Sequence, residues 1–117
     1  MKKLAIVFLT CGLALSAAAQ DKKSDKKGKA GDPEKGEAVF KDKNCGVCHF
    51  TDKDTRRIGP GLKGLFKHEK MWDEKPLTEA NVREMILKGG GKMTGFEDQL
   101  SAKDKELDNL IAYLKTL

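Results

Sequence analysis

Residues 45–49 read Cys45-Gly46-Val47-Cys48-His49, and no other feature constrains the chain as strongly. On one helical turn, positions i, i+3 and i+4 share a face, so both thiols and the imidazole point the same way. Two thiols on a common face suit addition to the two vinyl groups along one edge of a porphyrin, and a neutral imidazole nitrogen beside them suits iron. The pattern is the signature of covalent haem attachment. Other uses of the two cysteines fit less well. A redox C-x-x-C pair accompanies a βαβ pattern, absent here, and has no use for an adjoining histidine. A zinc site needs further Cys or His ligands, and only His68 is left. A disulfide between positions three apart is geometrically awkward.

The N-terminus reads as an export leader. Lys2 and Lys3 precede an apolar run through Ala18 that closes on the small residues Ala17, Ala18 and Ala19. That run falls short of the roughly 20 residues needed to span a bilayer, so residues 1–19 are expected to be cleaved as a signal peptide. Cys11 then leaves with the leader. The mature chain, beginning at Gln20, is expected to be periplasmic or otherwise exported, with no integral membrane span. Taking 19 residues from 117 leaves 98, enough for one small domain. Residues 20–30 hold five Lys against two Asp and nothing apolar to bury, the composition of a flexible linker. The whole chain carries a net charge of +5, of which the leader holds +2 and the linker +3, so the domain at residues 31–117 sums to zero. A neutral domain gives no argument for nucleic acid as a partner.

Iron in an electron carrier usually takes a second protein ligand, and methionine opposite histidine raises the potential. Met71, Met85 and Met93 are the candidates. Met85 recurs with Val82 and Ile86 at helical spacing and reads as core. Met71 sits beside charged Lys70 and Trp72. Met93 follows Gly89-Gly90-Gly91 and precedes Thr94-Gly95-Phe96, an irregular segment whose glycines permit close approach to a flat cofactor. That setting favours Met93.

Helix signals are plain elsewhere. Asp32 caps a helix that begins on Pro33. Thr78 caps a second, with Leu77 and Val82 placed as a hydrophobic staple. Ser101 and Asp104 form a capping box ahead of an apolar stripe at Leu107, Leu110, Ile111 and Leu114. No alternating strand pattern occurs, so the fold class is all-α.

With these elements in order, the sequence resembles the class I c-type cytochromes over residues 31–117. A helix with Gly36 and Phe40 leads to C-x-x-C-H, and Gly59-Pro60-Gly61-Leu62-Lys63-Gly64-Leu65 is similar to the family's loop beneath the proximal histidine. A helix follows, then a methionine loop, Gly91-Lys92-Met93-Thr94-Gly95-Phe96, then Leu110-Ile111-Ala112-Tyr113-Leu114-Lys115. The resemblance implies about four helices around one haem c, bound covalently through Cys45 and Cys48, with His49 and Met93 as axial ligands. It also implies that the Pro60 carbonyl accepts the Nδ1–H of His49, and that the first and last helices cross at Gly36 and Phe40 against Leu110 and Tyr113. One position departs from the pattern: many members have proline directly after the methionine, whereas Thr94 stands here, so the loop loses a fixed φ and is expected to open more readily.

The implied function is one-electron, outer-sphere transfer at the haem edge, without enzymatic activity. Its partners are a redox protein donor and acceptor, among them a membrane respiratory complex or a periplasmic oxidoreductase. The alternatives are an open-site haem sensor or peroxidase-like enzyme, and a haem relay subunit of a larger redox enzyme. Trp72 either donates its indole N–H to a haem propionate or packs with Leu65 and Phe66. Arg56 and Arg57 read as solvated charges in preference to propionate partners, and His68 as a surface residue. A domain of this size buries little apolar surface, so the porphyrin supplies much of the core and the apo chain is expected to fold poorly.

Overall fold

The computed structural model describes residues 31–100 and 105–117. The leader and linker readings, and the capping box at Ser101 and Asp104, lie outside the described residues. The first helix, α1 (Pro33–Asp42), starts where the Asp32 carboxylate accepts the N–H groups of Glu34 at 3.0 Å and Lys35 at 3.4 Å. These are two of the four donors that a helix start leaves without partners, and proline in the first turn removes another. Asn44, at φ 56°, turns the chain out of α1 and into a 3-10 turn, Cys45–Val47. Asparagine is among the few residues that adopt that left-handed geometry readily.

A second 3-10 turn, Leu65–Lys67, precedes α2 (Glu79–Lys88), where Thr78 Oγ1 accepts the Asn81 N–H at 3.1 Å. The last helix is α3 (Lys105–Leu114). The described residues therefore contain three α-helices and two short 3-10 turns, against the four or so helices expected. They also contain a hairpin that no alternation in the sequence announces. Strands β1 (Gly89–Gly90) and β2 (Met93–Thr94) pair antiparallel, Gly89 with Thr94 and Gly90 with Met93. The segment around Met93 is thus ordered as a hairpin, which corrects the irregular segment expected there. Gly91, at φ 59°, makes its turn, and Gly89, at φ 75°, its entry. Phe96 N–H to the Ile86 carbonyl and Glu97 N–H to the Leu87 carbonyl, both 3.0 Å, close the excursion back onto the end of α2.

Helices α1 and α3 cross as the resemblance implies. A Cβ on Gly36 would collide with the Asn109 carbonyl and sit 2.7 Å from Tyr113 Cβ, so only glycine admits this approach. Beside it, the Phe40 and Tyr113 rings pack with centroids 5.6 Å apart, and Asn109 Oδ1 accepts the Asp32 N–H at 2.7 Å. The core continues through Leu100, Leu107 and Ile111, the most deeply buried large side chains.

Helix α2 is tied to α3 by charge. Arg83 bridges Glu79 at 2.9 Å and Asp108 at 2.7 Å, and Lys115 meets the other Glu79 oxygen at 2.5 Å. The Lys115 hydrogen bond, and then Arg83, hold the Glu79 carboxyl below the usual carboxylate range. A carboxylate with a depressed folded-state pKa stabilises the fold above its unfolded pKa and loses that contribution as pH falls through the folded value. Partial exposure keeps the contribution small and sensitive to salt.

Candidate haem site

A cavity of about 530 Å³ opens between the attachment turn, the loop at residues 58–62, α2 and the hairpin. Cys45, Cys48, His49, Pro60 and Met93 all line it, so the structure brings together all five residues singled out in the sequence. Leu62, Ile86, Leu100 and Leu110, buried in the core, form part of its wall. Its size and mostly apolar lining are those of a pocket for a cofactor-sized ligand.

On the proximal side, His49 Nδ1 lies 2.8 Å from the Pro60 carbonyl oxygen. A carbonyl only accepts, so Nδ1 carries the hydrogen and Nε2 keeps its lone pair. Gly59 backs the ring: a Cβ there would stand 2.8 Å from Nδ1 and 3.0 Å from Nε2. Glycine therefore lets this loop lie against the imidazole, a role the sequence offered only as one letter of a Gly-Pro-Gly run. The loop is held in turn by Gly59 N–H to the Cys48 carbonyl and Leu62 N–H to the Phe50 carbonyl, each 2.8 Å.

Cys45 and Cys48 are free thiols, both half-buried. Burial pushes the Cys45 thiol up, the opposite of the lowered value that a disulfide-exchange cysteine needs. Met93 begins β2, lines the same cavity and packs against the core cluster. Met85 requires a correction. It is half-buried instead of core, and its sulfur lies on the cavity side, 2.9 Å from where a Gly90 Cβ would be. Val82 and Ile86 take the buried face of α2, and Met85, about 100° round from Ile86, falls on the neighbouring stripe. Met71 reaches the same cavity, so all three methionines line it.

The cytochrome c family profile matches residues 33–117. The chain belongs to the cytochrome c family. It is also similar to cytochrome c oxidase subunit 2 of Bacillus subtilis (strain 168), 34% identical over 92 residues. That match covers 70% of this chain and 25% of the subunit, so the chain spans about a quarter of that relative's length.

Membership of the cytochrome c family makes this an electron-transfer haem protein of the predicted helical class, carrying one haem c attached through Cys45 and Cys48. The cavity fits that group on its own terms, with two free thiols in its lining and a histidine whose tautomer leaves Nε2 available. Around the cavity stand the cations Lys43, Arg56, Lys70 and Lys92 against the single carboxylate of Asp54. A domain with no net charge thus carries an uneven distribution, positive at the mouth. Trp72 is 44% exposed, with its ring against Gly90 and Gly91, 2.8 Å from where a Gly91 Cβ would be. It roofs the hairpin backbone. Arg56 and Arg57 are exposed, as is His68.

Proposed function

We propose that this chain is an exported one-electron carrier in which His49 and Met93 would both ligate the haem iron. The carrying observation is that the two side chains line one cavity, with the imidazole fixed by the Pro60 carbonyl at 2.8 Å. When bound, haem c supplies an iron that alternates between Fe(III) and Fe(II). Donation from Nδ1–H to Pro60 raises the basicity of Nε2 and locks the ring plane. A neutral, soft thioether at Met93 favours the reduced state over what a second imidazole would give. Leu62, Ile86 and Leu100 keep water from the site, and the paired hairpin limits how far Met93 moves between states. Pairing of Thr94 with Gly89 supplies by strand geometry what proline would supply by a fixed φ, and supports a closed site over the sensor or peroxidase-like alternative.

Exposed Val47 and Ile58, at 56% and 50%, lie beside the attachment turn with Arg56 and Arg57. An apolar centre with a cationic rim suits docking to a redox protein with an acidic rim, which steers encounter without tight binding. The likeness to an oxidase subunit supports a membrane respiratory complex among the partners. It also favours a second reading, in which the chain is a fixed relay within a larger redox enzyme. The functional reading is tested by redox titration with peroxide and carbon monoxide controls. A single reversible one-electron wave, with negligible peroxide turnover and no rapid carbon monoxide binding, is expected. Turnover of peroxide comparable with free haem would overturn it.

Export rests on the leader. Mass spectrometry of the native protein is expected to show Gln20 at the N-terminus. An intact Met1 or a lipidated Cys11 would refute cleavage after Ala19, and residues 20–30 would then act as a tether.

A further inference from the structure

We infer that Arg57 is a positioning residue for the haem-attachment turn, and that its guanidinium raises the reduction potential of the haem held there. The inference rests on the haem-carrying reading above.

Arg57 Nη1 donates to the Gly46 carbonyl, inside C-x-x-C-H, at 3.1 Å. Its guanidinium carbon lies 5.4 Å from the centroid of the Phe50 ring, the residue directly after His49. Its own N–H donates to the Gly59 carbonyl at 3.0 Å, and Gly59 N–H donates to Cys48 at 2.8 Å. One residue therefore ties the middle of the attachment turn, the segment leaving the proximal histidine and the glycine that backs the imidazole. Each lies within 11 positions of Arg57 in sequence, yet no helix or strand connects them. The guanidinium's several donors and flat, forked shape let it hydrogen-bond the carbonyl while lying over the ring, which Lys53 Nζ also approaches at 5.0 Å. The backbone bond to the Gly59 carbonyl fixes the point from which the side chain departs.

The charge has a second consequence. Arg57 is not among the residues lining the cavity, whereas Arg56 is. Arg57 acts from behind the turn that carries both thioether positions, where a fixed positive charge disfavours Fe(III) more than Fe(II). Both arginines are exposed, but Arg57 is held to the turn by its hydrogen bond and ring contact, so its charge is the more nearly fixed in place.

The test uses the haem-loaded protein with Arg57→Gln, Arg57→Lys and Arg56→Gln. Midpoint potentials are measured at low and high salt, together with the denaturant concentration at which the proximal histidine is displaced, read from the Soret band. Arg57→Gln is expected to lower the potential, shifting the Fe(II) to Fe(III) ratio severalfold at a fixed ambient potential, and to lower the denaturant midpoint. Arg57→Lys keeps the charge without the fork, so it should recover most of the potential and little of the midpoint. Arg56→Gln should move the potential less than Arg57→Gln. A wild-type potential in Arg57→Gln, or equal shifts in Arg57→Gln and Arg56→Gln, would overturn the inference. Failure of the haem-carrying reading is separately visible: the wild-type haem would then run free of the chain on a denaturing gel.

Discussion

Replacing Met93 by alanine is expected to turn the protein into an open-site haem protein. Three effects should appear together. The near-infrared band of methionine-to-Fe(III) ligation disappears, the reduced protein binds carbon monoxide, and the potential falls because the soft thioether no longer favours Fe(II). The hairpin geometry is the reason the effect should be specific. Met93 is presented by a turn that needs positive φ at Gly89 and Gly91, and the chain just after its strand, at Phe96 and Glu97, is clamped to α2 by two backbone bonds of 3.0 Å. Met71 and Met85 line the same cavity, but Met85 is carried on α2 and Met71 by a separate turn closed by its N–H to the Lys75 carbonyl at 2.9 Å, outside the glycine hairpin, so Met71→Ala should leave band, ligand binding and potential unchanged. Met85→Ala should also keep the band. Its stability cost should fall below the roughly 2–5 kcal/mol of a fully buried methionine, because the side chain is only half-buried. Absorption spectra with and without carbon monoxide check all three variants.

The second large effect is structural. Gly36→Ala is expected to destabilise the haem-loaded protein by about 3 kcal/mol, near the top of the range for overpacking, and Gly36→Val by more. The added Cβ meets backbone at Asn109, which cannot rotate away as a long side chain does, and Tyr113 Cβ at 2.7 Å closes the other direction. Either helix must then shift, opening the contact that carries Phe40, itself part of the cavity wall. Against a total stability of roughly 5–15 kcal/mol for a small domain, that loss should be plain in a denaturant titration followed by far-ultraviolet circular dichroism. Gly46→Ala is the control. Its nearest neighbour is Phe40 Cε1 at an ordinary 3.5 Å, so its effect should stay within about 0.5 kcal/mol.

What the sequence disclosed follows from the range of the interactions involved. The caps at Asp32 and Thr78 are local chemistry, a side-chain oxygen two or three positions from the donors it serves, and both stand where the sequence placed them. C-x-x-C-H is local too. The contact of His49 with Pro60 spans 11 positions and was reached by resemblance, since nothing in spacing announces a carbonyl acceptor. The hairpin escaped because two-residue strands are too short to show a period. Met85 was misplaced for a different reason. Helical periodicity marks apolar faces, and a face turned toward a porphyrin cavity is as apolar as one turned toward core. Gly59 and Arg57 matter through contacts that only the folded loop creates.

The most direct measurement is the absorption spectrum of the purified wild-type protein, oxidised and reduced, before and after carbon monoxide. Ligation by His49 and Met93 predicts a weak near-infrared band in the oxidised form and no rapid change in the reduced form on adding carbon monoxide. A spectrum without that band, together with rapid carbon monoxide binding, would contradict a closed electron carrier and give the site to an open-site sensor or enzyme.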